Sequence, residues 1–313
     1  MSPAARLVPA ALLVVSALLA CRAGGDPPQP PGDEPAAEEL ARLRTLSARL
    51  KPLMQPLAPP EPGDWRHEHP ERGQTFRQWL AESPQTARGD RRVLYVAPLG
   101  SMTATQRKVV DLSARFLGLY FQLPTKVLEP LPESLVPAAH QRRHPRWGMR
   151  QLHSEFILDE VLRPRVPRDA AALIAFTAVD LYPEPSWNFV FGQASLRDRV
   201  GVWSIHRKGD PERGPTEFRQ VLQRTLRTAT HETGHMLSIR HCTAWACNMC
   251  GSNSLEESDR NPLALCAECL PKLLYATRAY ARARYRALEA FCREQGLEPE
   301  RARYAELLAA LGP

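Results

Sequence analysis

The 313-residue sequence contains no internal repeat, which sets aside solenoid and propeller arrays. Its longest apolar run, Leu7 to Leu19, is too short to span a membrane as a helix. Acidic residues are the scarcer sign, 34 against 41 basic, for a net charge of +7 and a pI near 9.2. The surplus is arginine scattered along the chain and not gathered into a patch, so nucleic acid is not expected as a partner. Aromatics make up only 7%, and the basic, cysteine-rich C-terminal part has neither interleaved aromatics nor a recognised finger spacing, which argues against a nucleic-acid module. What remains is ample for a folded enzyme. At 43% hydrophobic side chains the chain can bury one large core or two modest ones, and its 30 prolines lie mostly outside the periodic segments, marking linkers and loops.

Arg6, the apolar run and the ending Leu18-Leu19-Ala20-Cys21 read as a secretory signal. A small residue directly before Cys21 resembles the bacterial lipoprotein box, in which that cysteine is lipidated after cleavage, although Leu19 is not the favoured residue at its position; an ordinary cleaved signal or an uncleaved anchor is the alternative. The expected location is therefore outside the cytoplasm, in a bacterial cell envelope, with membrane contact through a lipid on Cys21. Residues 22 to 36 are rich in Pro, Gly and acid and read as a tether. Leucines at 40, 43, 46 and 50 predict a helix from Glu38 to Leu50, stopped by Pro52.

The apolar run in RRVLYVAPLG, from Arg91, predicts a buried strand. Thr103 to Leu119 has helical spacing, a second helix is expected from about Arg150 to Leu162, and AALIAFTAVDLY reads as a buried strand followed by a loop. NFVFGQAS and RVGVWSIHR read as a strand pair. This order points to a mixed α/β fold with helices packed on a sheet. From Thr216, an apolar stripe through Phe218, Val221, Leu222, Leu226 and Ala229 leads into His231 on one helix, and Lys272 to Ala310 reads as one long helical stretch. The expected division is 1–21 signal, 22–60 tether and short helix, 61–275 catalytic domain and 276–313 helical extension.

In HETGHMLSIRH, His231 and His235 stand four residues apart, so their imidazoles leave one helix face and meet at a single ion. His241 follows six residues later, a distance that continued helix would spoil, so the chain must leave the helix near Ser238 and turn back. Three histidines leave a tetrahedral zinc one open position for water. Zinc brings the pKa of such a water towards about 7 and polarises a scissile carbonyl. Glu232, beside the ligands, is the expected general base and acid, taking the proton from water and passing it to the leaving amine. HExxH alone is common by chance; the third histidine and the cysteines behind it make it specific.

Six of the seven cysteines lie at 242, 247, 250, 266, 269 and 292. Cys266-x-x-Cys269 forms a metal knuckle that Cys242 and Cys247 can complete as a closed, structural zinc site; disulfides are the alternative in an exported chain. Cys250 and Cys292 are left as buried or disulfide-forming residues.

Taken together, His231-Glu232-x-x-His235-x-x-Ser238-x-x-His241-Cys242, then Cys247-Asn248-Met249 and Cys266-x-x-Cys269, resemble the archaemetzincins, a family of zinc metallopeptidases of metzincin type. The resemblance extends over VAPLG near residue 98, Arg150-Gln151 with Ser154, Thr177 to Tyr182, and Phe189 to Gly192 with Ala194; Pro62 to Phe76 is similar to the region preceding the domain in animal members. It implies a metzincin-like catalytic domain with a cysteine-rich zinc-bound subdomain and two zinc ions, one on the histidines and one on Cys242, Cys247, Cys266 and Cys269. It also implies that Met249 forms the methionine turn beneath the catalytic metal, and that the activity is aminopeptidase-like or endopeptidase towards peptide or protein substrates. One departure stands out: the family's glycine is Ser238 here, and a serine held at positive φ costs on the order of 1 kcal/mol. A catalytically weak or inactive zinc protein acting as a binding module is the second reading.

Overall fold

The computed structural model describes residues 36–312 apart from Leu196. The leader, Cys21 and most of the tether lie outside the described residues.

Five strands form the main sheet in the order β2 (Thr125–Val127), β1 (Val93–Leu99), β5 (Ala170–Thr177), β8 (Val200–Ser204) and β7 (Gly192–Ser195). All neighbours run parallel except β7, which pairs antiparallel with β8 and forms one edge. Both faces are covered, which explains the unbroken apolar runs that the sequence shows for β1 and β5. Leu94 and Val96 of β1, with Ala172, Ile174 and Phe176 of β5, enter one core cluster. The alternate residues Tyr95, Ala97, Leu99, Leu173 and Ala175 enter another on the opposite face.

The first face is covered by α4 (Ala104–Phe121) and α6 (Pro215–Met236). A capping box between Thr103 and Gln106 starts α4, and Pro215 in the first turn, where no amide donor is needed, starts α6. Val221, Leu222, Leu226 and Ala229 of α6 are buried, as the stripe requires. The order of strands and helices gives the mixed α/β class that the sequence pattern implies.

Three expectations need correction. Arg150–His153 is strand β4, paired with β3 (Gln141–Arg143) and β6 (Asp180–Tyr182) in a second, three-stranded sheet, and helical backbone begins only at Ser154. AALIAFTAVDLY, expected as one strand, is two in separate sheets, β5 ending at Thr177 and β6 covering Asp180–Tyr182: Gln151 sits opposite Asp180, its Nε2 donating to Asp180 Oδ2 at 2.8 Å. The C-terminal stretch is broken into α8 (Cys269–Thr277), α9 (Ala281–Gln295) and α10 (Glu298–Ala310) by left-handed residues at Arg278 and Gly296. After Gly296 the Leu297 amide returns to Cys292 O at 2.8 Å, a helix-ending bond that lets α10 fold back on α9.

The core does not divide at 60/61 or at 275/276. Leu43 and Leu50 of helix α1 (Ala36–Leu50), Met54, and Tyr285, Phe291, Tyr304 and Leu307 of the last two helices share one cluster with α4 and α6. Residues after α1 also pair with the cysteine-rich turn, Leu57 N donating to Ala244 O at 3.1 Å and Ala246 N to Gln55 O at 2.8 Å. Among the described residues no helix is long and apolar enough to cross a membrane.

Candidate metal centres

His231 and His235 project from the last turns of α6 with their Nε2 atoms 3.0 Å apart. Each ring is aimed by a backbone carbonyl behind it: His231 Nδ1 bonds Asn248 O at 2.7 Å, and His235 Nδ1 bonds Ile239 O at 2.7 Å. These bonds put the N–H on Nδ1 and leave Nε2 bare, the arrangement a ligating imidazole needs. Burial, followed by the neighbouring imidazole (His241 for the first, His231 for the second), pushes the pKa of each ring down to about 3, so both are neutral at ordinary pH.

The helix stops where the third histidine demands it. Leu237 caps α6, and Ser238 takes φ of 61°, the left-handed conformation for which a glycine would be the easy choice. Neighbours hold the serine there: Gln85 N donates to its Oγ at 3.0 Å, Gln74 Nε2 donates to its carbonyl at 3.3 Å, and Trp79 Nε1 donates to Leu237 O at 2.9 Å. The turn brings His241 back, and the ligand atoms of the three histidines lie within 4.8 Å of one another.

Met249 is 1% exposed and packs on Gly234 of α6, where an added Cβ would stand 2.6 Å from its Sδ. Gly234 is therefore the position on α6 that lets the methionine approach. Glu232 points into the same half-buried region, and burial pushes its carboxyl pKa up.

Several contributors carry no signal in the histidine motif. Glu71 takes His241 Nδ1 with both carboxylate oxygens, at 2.8 and 3.0 Å, and Trp65 meets the His241 ring edge-on at 5.2 Å between centroids. Both come from the Pro62–Phe76 stretch, whose similarity to animal members was the one available pointer. Lys208 is 1% exposed, donates to Thr228 Oγ1 at 2.6 Å, and has its pKa lowered to about 7 by burial against the opposing pull of Glu232.

The second group lies one residue further on. Cys242, Cys247, Cys266 and Cys269 are all buried, with sulfurs within 4.8 Å of one another and 3.8 Å between Cys242 and Cys266. That is a non-bonded separation, and it matches the edge of about 3.8 Å that a tetrahedron with Zn–S bonds near 2.3 Å has. Backbone amides support the knuckle: Cys266 N donates to Cys247 Sγ at 3.3 Å and Cys269 N to Cys266 Sγ at 3.4 Å. Burial pushes the Cys247 thiol well up, so several thiolates can exist here together only around a cation. None of the six described cysteines is in a disulfide; Cys250 donates to Trp245 O at 3.3 Å, and Cys292 is buried in α9. The histidine set suits a metal that keeps a free position, and the thiol set a metal that is fully enclosed.

With this geometry in hand, the profile of peptidase family M54 matches residues 150–274, the span from β4 to α8 that holds both ligand groups. Archaemetzincin-2 of Macaca fascicularis is 34% identical over 85% of this chain and 84% of its own length, and the human archaemetzincin-2 is 34% identical over 75% and 74%. The archaemetzincin of Thermococcus kodakarensis is 34% identical over 58% of this chain and 96% of its own. The solved archaemetzincin of Methanopyrus kandleri is 28% identical, superposes with a TM-score of 0.47, and covers 61% of this chain and 98% of that one. The class is thus a metallopeptidase, a hydrolase that depends on zinc. Within that class the chain belongs to the archaemetzincins.

Proposed function

We propose that the chain hydrolyses peptide bonds at a zinc ion held by His231, His235 and His241, with Glu232 as general base and then general acid. The observation that carries this reading is the convergence of three imidazoles, two of them on the end of α6 that also carries Glu232. Zinc, when bound, supplies a Lewis acid for the scissile carbonyl and an acidified water.

The protein's own groups do the rest. The carbonyls of Asn248 and Ile239 hold two ligand tautomers. Glu71 fixes the third ring. Burial lifts the Glu232 carboxyl towards the range in which it both accepts a proton from water and returns it to a leaving amine. Strand β7, at the edge of the sheet, is the strand beside which an extended substrate would lie as an added strand. The four cysteines hold a second, structural zinc that ties the His241 turn to α8.

The mature chain is proposed to be an envelope lipoprotein anchored through Cys21, on the strength of the leader alone; replacing Cys21 with serine should release it from the membrane fraction. The enzymatic reading is tested by metal content and hydrolysis together. Wild type should carry two zinc ions and His235→Ala one, while Glu232→Gln should keep both and lose at least about a hundredfold in kcat. A Glu232→Gln protein with full hydrolytic activity would overturn it.

A further inference from the structure

Of the three large apolar side chains exposed among the described residues, two are tryptophans, Trp147 at 43% and Trp187 at 50%. Trp147 begins a row of rings that leads to the histidine site. Its ring lies 6.2 Å from that of Phe189, and Phe189 meets Phe191 edge-on at 5.2 Å. Phe191 in turn lines the cavity that also holds Glu232 and His231. None of the three rings is part of, or packed against, either core cluster. The strand period explains this: Val190 bridges Leu181 and packs inward on the second cluster, so its neighbours Phe189 and Phe191 face the other way.

The row rests on a fixed polar base. Asp180, fully buried, accepts from Arg207 Nε at 2.8 Å and Nη2 at 2.7 Å, and the guanidinium so held lies 3.7 Å from the centre of the Phe189 ring and 4.8 Å from that of Trp147. The buried His144 ring stacks on Trp147 at 4.0 Å and accepts the Trp147 amide at Nδ1, which leaves its Nε2 to donate to Asn188 Oδ1 at 3.3 Å. Gln151 Nε2 holds the carbonyl of Asn188 at 2.8 Å. Apolar rings gathered from two segments, open to water and braced from behind by buried polar groups, mark a binding surface, whereas stray surface aromatics have no such support.

An added strand pairs slightly better antiparallel than parallel. One that runs antiparallel along the outer edge of β7 has its earlier residues beside Ser195 and its later residues beside Gly192 and Phe191. Phe191 stands at Glu232, where the bond is cut, so Phe189 and Trp147 lie along the part of the substrate beyond that bond. The two ring steps together reach no more than about 11 Å, the length of about three residues of extended chain.

We infer that Trp147, Phe189 and Phe191 form an apolar shelf that seats the second and third residues after the scissile bond, and that the shelf favours aromatic or branched aliphatic side chains there. The inference rests on the hydrolytic reading above and gives that same cleft a specificity. Such a side chain covers rings that are otherwise hydrated. A basic one would meet the charges of Arg207 and of Lys208, whose Nζ lies 4.0 Å from the centre of the Phe191 ring. An acidic one would find Arg207 already paired with Asp180.

The test uses the zinc-loaded full chain and a peptide that it cleaves, varied one position at a time to Phe, Leu, Ala, Lys or Glu on both sides of the cut bond. At the second and third residues after the bond, Phe or Leu should exceed Ala, Lys and Glu by about 10-fold in kcat/KM. Zinc-loaded Glu232→Gln should give the same order in Kd for the uncleaved peptides. Trp147→Ala, at an exposed position outside both core clusters, should bring the Phe to Ala ratio down to near 1, and Trp147→Phe, which keeps a ring, should retain most of it. Equal cleavage of the whole series, or a preference found only before the bond, overturns the inference but leaves the peptidase reading standing, and so does a Trp147→Ala protein that keeps the full ratio. Failure to cleave any member of broad peptide libraries sinks the peptidase reading, and the shelf with it.

Discussion

Removing the Glu71 carboxylate is the sharpest probe of how the histidine site is held. His231 and His235 ride on α6, but His241 sits on the turn beyond Ser238, and its ring is fixed from outside that turn by Glu71 at 2.8 and 3.0 Å and by the edge of Trp65. An ion pair on an open surface is worth about 0–1 kcal/mol. This one is partly buried, with side chains 17% and 33% exposed, and it orients a ligand, so its loss is read in metal affinity more than in folding. Replacement of outer partners of this kind lowers metal affinity by about 10- to 100-fold, or about 1.4–2.7 kcal/mol.

Glu71→Ala should therefore bind zinc at the histidine site 10- to 100-fold more weakly in competition with a chromophoric chelator, while the thiol site retains its ion. Glu71→Gln keeps an acceptor oxygen without the charge and should fall between the two. Metal-free wild type and Glu71→Ala should differ by less than about 1 kcal/mol in urea unfolding. Unchanged zinc affinity in Glu71→Ala would refute the argument, because it would mean that the His241 turn positions its own ring.

Other expectations follow from the same region. Gly234→Ala places a Cβ 2.6 Å from Met249 Sδ and should cost about 1–3 kcal/mol in thermal unfolding through overpacking, with the methionine displaced. Ser238→Gly relieves about 1 kcal/mol of strain but forfeits the bond from Gln85 N, worth about the same, so its midpoint should barely move, whereas Ser238→Val, β-branched at a φ of 61°, should unfold clearly earlier. Lys208 has a folded pKa of about 7, below its unfolded value, so between these the unfolded chain binds the extra proton and stability rises with pH. Denaturation at pH 8 and pH 10 should show a slope more positive by about 1.4 kcal/mol per pH unit in wild type than in Lys208→Met; equal slopes would show that Lys208 stays charged when folded.

The histidine helix was legible because one period governs it. The buried positions from Val221 to Ala229 carry the same 3.6-residue spacing that sets His231 and His235 on one face. Strands β1 and β5 were legible because burial on both faces forces continuous apolar runs. Strand β4 was not, and β6 was not told apart from β5, since three- and four-residue strands such as Arg-Gln-Leu-His have too few residues to display a period, and their pairing is between distant segments. The break at Arg278 has no glycine or proline to mark it, and only its left-handed backbone reveals it, whereas Gly296 followed by Pro299 is a stop signal that the alanine- and arginine-rich stretch around it obscured. Glu71, Trp65 and Lys208 act through contacts 20 to 192 residues away in sequence, which no local pattern encodes.

His241 and Cys242 are consecutive, yet one belongs to the imidazole cluster and the other to the sulfur cluster. Their Cα atoms can stand only about 3.8 Å apart, so a single peptide unit forms the partition between two coordination chambers. Lengthening the chain there by even one residue would rotate the following side chains away from their chamber, and drift in this sequence is thereby confined to substitution, with insertion closed off.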